Sequence, residues 1–340
     1  MQGIKPVAAR SRLVPCLAWG YLVFVMATWL AVFLGGDRWW PATVFLFSPR
    51  WFVSLPLMVM VPLAAWANRR SLMPLFAAAV IIFGPLMGLC LPLPQAKSVP
   101  GPVLRVLTCN VQTGDFNAAA LSALIRDSGA DIVALQECPP EFRIALPREW
   151  QSVQDGELVV LARYPLQKSG SLQALHPPHQ WPRTCLLQCV ITVPWGKVAF
   201  NTVHLPSPRY GLQTILDRTT LFSLSRKGLL IEETAHRKRV AREAQRAVAQ
   251  SPLPVIVAGD FNMPADSTIY RDVWGRYANA FSEKGTGYGR TEFASMRGIK
   301  VGVRIDHILA GNGLGIRVCE TGPDVGSDHL PLIADIGGHR

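Results

Sequence analysis

Three long stretches in the first hundred residues contain no charged side chain. They cover residues 13–34, 51–67 and 71–96, and each is close to the roughly 20 residues that a helix needs to cross a bilayer. The pattern predicts three transmembrane helices, the second one kinked or partly re-entrant because Pro56 and Pro62 interrupt it. A signal peptide is the alternative for the first stretch, but its apolar core would be shorter and two further stretches follow.

Basic residues flank these stretches unevenly. Lys5, Arg10 and Arg12 precede the first stretch, and Arg69 with Arg70 separates the second from the third. The positive-inside rule therefore predicts a cytoplasmic N-terminus. After three spans, everything beyond about residue 97 lies outside. We expect a multi-pass integral membrane protein whose larger part is extracytoplasmic, on the periplasmic side in a bacterium.

A proline-rich segment separates the apolar region from the rest of the chain. Residues 91–102 carry four prolines, which cannot continue a helix and favour an extended spacer. We expect a membrane domain over residues 1–96, a linker over 97–102 and a globular domain over 103–340.

The net charge of the whole chain is +11. Residues 96–340 carry 27 basic and 22 acidic side chains, so this part accounts for a net charge of +5. That excess suits a polyanion or an anionic membrane surface without choosing between them.

Short apolar runs and amphipathic runs are interspersed beyond the linker. They predict helices at 117–126 and 231–249, and strands at 103–110, 132–135, 158–162, 185–193, 198–204, 255–259, 301–310, 315–319 and 330–335. We expect the runs at 158–162, 185–193 and 198–204 to form a meander, with a turn at 194–197. The whole predicts an α/β fold in which two sheets pack face to face under outer helices.

The most informative run extends from Val255 to Gly259. It contains no polar side chain and follows Pro254, which predicts a strand buried on both faces. Asp260 and Asn262 come next, and residues two apart on an extended backbone face the same side. A carboxylate takes a proton or binds a hard cation, and an amide donates to an anionic oxygen. The pair suits a phosphate under attack, with an ordinary turn as the structural alternative.

Most other predicted strands also end next to polar side chains. Each one alone has a structural explanation, as a turn former, a surface acid or a core imidazole. Polar groups at one rim of a sheet converge on a single pocket, and six strand ends of this kind favour a functional site. Besides Asp260 and Asn262, these residues are Asn110, Glu137, His204, Asp306 with His307, and Ser327 with Asp328 and His329.

Six segments around these residues carry a specific resemblance. They read LTCNV at 107–111, DIVALQE at 131–137, NTVHL at 201–205, GDFN at 259–262, RIDHIL at 304–309 and GSDHLP at 326–331. Their order resembles that of the endonuclease/exonuclease/phosphatase superfamily, which includes deoxyribonuclease-I-like nucleases, abasic-site endonucleases, inositol polyphosphate 5-phosphatases and neutral sphingomyelinases. The resemblance covers about residues 103–338. It implies a four-layer α/β sandwich and metal-dependent hydrolysis of a phosphoester.

The resemblance implies a metal site and a set of catalytic residues. Glu137, with Asn110 beside it and Asp328 as a further ligand, resembles the family's Mg²⁺ site, with Mn²⁺ as an alternative ion.

The catalytic residues follow from the same resemblance. Asp260 resembles the residue that orients or deprotonates water, and His329 resembles an essential histidine that acts either as a base or as a cation. His204 is expected to protonate the leaving group or to bind a phosphate oxygen. The implied catalytic set is His329, Asp260, His204, Asp306 and Asn262.

Two further regions have alternative interpretations. Arg239, Arg242 and Arg246 share one face of a predicted helix, which suits nucleic-acid phosphates, anionic lipid headgroups or plain solvent. The segment over 206–228 either covers the site or is an ordinary surface loop.

The favoured function is a membrane-anchored phosphoester hydrolase. A nuclease-type phosphodiesterase is preferred to an enzyme that acts on lipid, inositol-phosphate or sphingomyelin-like substrates. An inactive binding module on the same fold is the second alternative. The expected partners are a phosphate-containing substrate and the bilayer, with no protein partner indicated.

Overall fold

The computed structural model describes residues 7–92, 101–114, 116–176, 181–216, 224–296 and 299–338. The chain divides into two compact units, Met1–Leu89 and Cys90–Arg340. Most of the predicted linker, residues 97–100, lies outside the described residues, as do Lys5 and part of the segment over 206–228.

The secondary structure described for the N-terminal unit consists of helices joined by short turns. Its α-helices are α1 (Val7–Leu30), α2 (Trp40–Leu46), α3 (Leu57–Ala67) and α4 (Leu72–Ile81). Shorter π and 3₁₀ turns extend them into three segments, Leu13–Arg38, Arg50–Ala67 and Arg69–Leu86, that are long and apolar enough to cross a membrane by length and composition. The second segment is broken at Pro56, between a 3₁₀ turn and α3, which is the kink that proline predicts.

The C-terminal unit contains two six-stranded sheets and a separate two-stranded ribbon. Its strands are β1 (Val103–Asn110), β2 (Ile132–Gln136), β3 (Gln151–Asp155), β4 (Leu158–Ala162), β5 (Leu166–Leu175), β6 (Pro182–Val193), β7 (Gly196–His204), β8 (Val255–Asp260), β9 (Ala278–Asn279), β10 (Glu292–Met296), β11 (Ile299–Val303), β12 (Asp306–Gly311), β13 (Leu314–Thr321) and β14 (Leu332–Gly338). Its helices are α5 (Ala118–Asp127), α6 (Arg209–Leu216), α7 (Leu224–Ala249), α8 (Thr268–Trp274) and α9 (Ala280–Lys284).

Both large sheets are mixed. The first has the strand order β13-β14-β1-β2-β4-β3 and the second has the order β5-β6-β7-β8-β12-β9, while β10 and β11 form the ribbon. In each large sheet one central pair is parallel, β1 with β2 and β7 with β8. The carboxyl ends of the paired strands therefore lie together at one rim of their sheet.

The two sheets pack face to face, and helices cover their outer faces. Side chains such as Val106 and Val160 from the first sheet share one core with Phe200 and Ile256 from the second. On the outside, α5 packs on the first sheet and α7 packs on the second. These layers confirm the predicted four-layer α/β sandwich.

Two predictions about strand connections are wrong. The run 158–162 is β4 of the first sheet, whereas β6 and β7 belong to the second sheet, so the three do not form a meander. The intervening strand β5 was missed because it is an edge strand rich in exposed polar residues. The predicted strand at 301–310 is two strands, since the chain passes from the ribbon to the second sheet at Arg304 and Ile305.

Gly259 is required by the close approach of two strands. Its φ is +146°, a value that L side chains rarely adopt. A β-carbon at this position would lie 2.1 Å from the carbonyl oxygen of Val203 on β7. The missing side chain lets β8 run directly against β7, which places Asp260 in register with His204.

Candidate active site

The predicted site residues gather at one rim of the sandwich. Asp260 lies in register with His204 on one side and with Asp306 on the other. A pocket of about 260 Å³ opens above them. It is lined by Gln112, Glu137, His204, Ser207, Arg209, Tyr210, Gln213, Asp260, Asn262, Glu292, Asp328 and His329. Asn110 and Asp306 lie in the layer behind and contact the lining residues.

Asp260 is the buried carboxylate at the centre of this arrangement. Its Oδ2 accepts a hydrogen bond of 3.1 Å from the Asn110 amide. Burial raises the pKa of Asp260, and the neighbouring Asp306 carboxylate raises it further, to about 7. A carboxyl group with this pKa exchanges a proton readily near neutral pH.

Asn262 reaches the pocket by a different route from the predicted one. Its φ is +51°, so the backbone after Asp260 is a turn and the extended geometry expected from the sequence is wrong. The Asn262 backbone N–H donates to Asp260 Oδ1 at 2.7 Å, and its side-chain amide donates to Leu205 O at 2.8 Å. The buried Arg237 side chain donates to the Asn262 carbonyl at 2.8 Å. Both Asn262 and Asp260 are therefore held rigidly.

His329 forms the first of two histidine–carboxylate pairs. Its Nδ1 lies 2.8 Å from Asp306 Oδ2, while its Nε2 lies 4.0 Å from Asp260 Oδ2 and 3.9 Å from Asp328 Oδ1. Burial lowers the pKa of His329, but the Asp306 carboxylate, with smaller contributions from Asp260 and Glu292, outweighs this effect and raises the pKa to about 10. The ring is thus an imidazolium at neutral pH.

His204 forms the second pair, with a carboxylate that the sequence analysis missed. Its Nδ1 lies 2.5 Å from Glu157 Oε1, and its Nε2 lies 3.6 Å from Glu137 Oε1 and 3.8 Å from Asp260 Oδ2. Burial lowers the pKa of His204, and the Glu157 carboxylate more than reverses this, to about 9. Glu157 sits in the tight turn between β3 and β4. The one feature of the sequence that could have indicated Glu157 is its position immediately before the apolar strand β4.

Glu137 and Asp328 offer carboxylate oxygens to the pocket. Glu137 Oε1 accepts a hydrogen bond of 3.0 Å from the Asn110 amide, and Oε2 accepts one of 3.4 Å from the Thr113 hydroxyl. Burial raises the pKa of Asp328, and the Glu137 carboxylate adds to the increase. Two partly exposed carboxylates that repel each other fit a hard divalent cation. The Asn110 amide oxygen already accepts from the Gln112 N–H at 3.0 Å.

Fold and site together define a class of protein, the hydrolases that act on phosphate esters from the rim of a two-sheet sandwich. Residues 107–329 match the model of the Endonuclease/Exonuclease/phosphatase family, and the chain belongs to this family. The resemblance inferred from the six sequence segments is thereby confirmed. The chain is a phosphoester hydrolase of this family. No curated protein sequence matches the chain.

Several solved structures are similar to the chain at low sequence identity. A humanized TDP2 from D. rerio is 17% identical, with 69% of this chain and 99% of that chain covered and a TM-score of 0.47. The human Nocturnin catalytic domain with bound sulfate is 14% identical, with coverages of 70% and 94% and a TM-score of 0.48. The Neisseria 3′ phosphatase NExo bound to a product DNA hairpin is 14% identical, with coverages of 68% and 98% and a TM-score of 0.49.

Proposed function

We propose that the chain is a membrane-anchored, Mg²⁺-dependent phosphodiesterase of the nuclease type. The observation that carries this proposal is the pair of imidazoles on either side of one buried carboxylate. His204 Nε2 and His329 Nε2 lie 3.8 and 4.0 Å from Asp260 Oδ2. One group that accepts a proton and two that carry one can activate water, protonate a leaving oxygen and stabilise phosphate charge during in-line displacement at a phosphodiester.

Asp260 is the proposed base. Its pKa of about 7 lies near the operating pH, where general bases are most effective. Asn110 and Asn262 hold the carboxylate through hydrogen bonds, so that one oxygen keeps a constant direction toward the pocket. Asp260 would take a proton from the attacking water as the water meets phosphorus.

The two histidines are proposed to act as cations with different tasks. His204, protonated and oriented by Glu157, donates its Nε2 proton to the oxygen that leaves. His329 keeps its proton because of Asp306, and stabilises negative charge on the phosphate oxygens. A leaving oxygen that needs a proton belongs to an alcohol such as a sugar hydroxyl, which suits phosphate esters of unactivated alcohols.

Glu137 and Asp328 are the proposed ligands for Mg²⁺, or for Mn²⁺ in its place. A bound ion would supply charge neutralisation at the phosphate and at the leaving oxygen. In this arrangement Asn110 contributes by orienting Glu137 and Asp260 through its amide nitrogen.

The proposed anchor is the N-terminal region over residues 1–96, with the linker over 97–102 and the catalytic domain over 103–340. The three apolar helical segments support it. The distribution of basic residues supports a catalytic domain on the extracytoplasmic side.

A lipid phosphodiesterase is the second candidate, favoured by the same apolar segments, because an enzyme held at a bilayer meets lipid headgroups continuously. The test uses the full chain in detergent or nanodiscs, with Mg²⁺ or EDTA, on plasmid DNA, phospholipid vesicles and bis-p-nitrophenyl phosphate. A nuclease prefers DNA and loses activity steeply with added salt. A lipid enzyme requires vesicles and responds to their headgroups. A folded, metal-loaded chain that hydrolyses none of the three overturns both candidates in favour of a binding module.

A further inference from the structure

A third side chain lies next to the His204–Glu157 pair. The His176 ring packs edge-on against the His204 ring, with ring centroids 5.4 Å apart. Only 6% of His176 is exposed, and within the described part of the chain its Nε2 atom is buried without a hydrogen-bond partner. One potential ligand atom from each of Glu157, His176 and His204 lies within 4.8 Å of the other two. Nothing in the proposed reaction uses His176.

We propose that Glu157, His176 and His204 form a second metal site, one that selects a transition-metal ion, with Zn²⁺ as the best fit. Two imidazoles and one carboxylate are a typical Zn²⁺ ligand set, which leaves a fourth position open for water. Mg²⁺ prefers oxygen ligands and does not compete well for imidazole nitrogen. The cluster and the Glu137–Asp328 pair therefore differ in the ions that they select.

The geometry requires shifts in two directions, because His176 must move closer whereas His204 Nδ1 and Glu157 Oε1, 2.5 Å apart, must separate. Ligand atoms of a tetrahedral Zn²⁺ with bonds of about 2.0–2.1 Å lie about 3.4 Å apart, compared with up to 4.8 Å here. Rotation of the His176 ring, which no hydrogen bond through Nε2 restrains, supplies most of the movement. Arg183 Nη1 lies 3.2 Å from Glu157 Oε2. The positive charge of Arg183 disfavours binding of a cation at the cluster. Its hydrogen bond, however, orients the Glu157 carboxylate as an outer-shell partner of a metal ligand does.

Metal binding at this cluster would inhibit the enzyme, a consequence that rests on the proposed role of His204. A bond from the ion to His204 Nδ1 replaces the hydrogen bond between Nδ1 and Glu157, and the Nδ1 proton is released to solvent. The ring then carries a single proton on Nε2, bound too strongly to be given to a leaving oxygen. Zn²⁺ is thus expected to inhibit without displacing Mg²⁺ or substrate.

The test measures binding separately from activity. The full chain, stripped with EDTA and returned to excess Mg²⁺, is titrated with Zn²⁺ by calorimetry and with Co²⁺, whose visible spectrum reports tetrahedral coordination. His176→Gln should weaken this Zn²⁺ site at least about 100-fold, since loss of an outer-shell partner alone costs 10–100-fold. His176→Cys, which restores a ligand, should recover the site. His236→Gln is the matched control, because His236 hydrogen-bonds the neighbouring Leu175 carbonyl and lies outside the cluster.

The outcomes separate this inference from the proposed function. Equal Zn²⁺ affinity in the wild type and in folded His176→Gln, judged by its melting curve, overturns the metal site. Loss of the site in His176→Gln, together with a matching loss of Zn²⁺ inhibition and unchanged basal activity, supports it. If the site is lost in that variant but Zn²⁺ never inhibits the wild type, the metal site stands and the role given to His204 is wrong.

Discussion

Replacing Glu157 with glutamine would remove the charge that keeps His204 protonated, with almost no change in side-chain size. The pKa of His204 is about 9, raised from an ordinary value of 6.5. Burial opposes this increase, and Glu157 contributes most of it, ahead of Asp260 and Glu137, so we expect the pKa to fall to about its ordinary value of 6.5 when the Glu157 carboxylate is removed. At about pH 7.5 the protonated fraction would then drop from about 97% to about 9%. A step that consumes this proton slows roughly tenfold.

The assay compares two diesters across about pH 5.5 to 9.5. One has an alkyl alcohol as leaving group, and the other releases p-nitrophenolate, which departs without a proton. For Glu157→Gln, the alkaline limb of kcat/KM should move to lower pH with the alkyl ester, while the p-nitrophenyl ester is nearly unaffected. Asp155→Asn is the matched control, because Asp155 pairs with Lys168 instead. Superimposed wild-type and Glu157→Gln profiles on the alkyl ester would refute the assignment of His204 as the acid.

Three further predictions follow from single contacts. Gly259→Ala places a methyl group 2.1 Å from the Val203 carbonyl oxygen, so the variant should fail to give folded protein; a wild-type yield and melting curve would contradict this. Arg237→Leu leaves the buried Asn262 carbonyl without its donor, so the free energy of unfolding measured with denaturant should fall by about 1–3 kcal/mol. An unchanged free energy of unfolding would show that the contact is dispensable. Arg209→Ala removes the arginine that lines the pocket and should raise KM several-fold; a fall in kcat alone would argue against substrate binding by Arg209.

Site residues are most predictable from the sequence where a strand is buried on both faces and then stops. Asn110, His204 and Asp260 could be located because paired strands end together, so polar residues at their ends meet. Strand alternation also separates neighbours: Asp306 faces the site, whereas His307 is buried in the core and donates from Nε2 to the Met263 carbonyl. Burial lowers the pKa of His307 to about 3. The adjacent histidine is therefore structural.

The residues that the sequence analysis missed depend on packing between sheets. Glu157 precedes β4 in the first sheet, whereas His204 ends β7 in the second, 47 residues later. No local periodicity encodes which turn of one sheet meets which strand end of the other. The same reason explains why the cluster with His176 could not be found from spacing, and why β4 was assigned to the wrong sheet.

The most direct test of the site is metal-dependent diester hydrolysis by the full chain, with Asp260→Asn and His329→Ala measured beside the wild type. After EDTA treatment, Mg²⁺ or Mn²⁺ should restore hydrolysis of bis-p-nitrophenyl phosphate by the wild type. Both variants should remain folded, although His329→Ala should melt earlier because it leaves the buried Asp306 carboxylate unpaired. The kcat should fall by about 10²–10⁴-fold for Asp260→Asn, the range for loss of a general base, and by about 10²–10³-fold for His329→Ala, the range for loss of transition-state charge stabilisation. A folded variant that keeps wild-type kcat, or activity that survives EDTA, would contradict the proposed site.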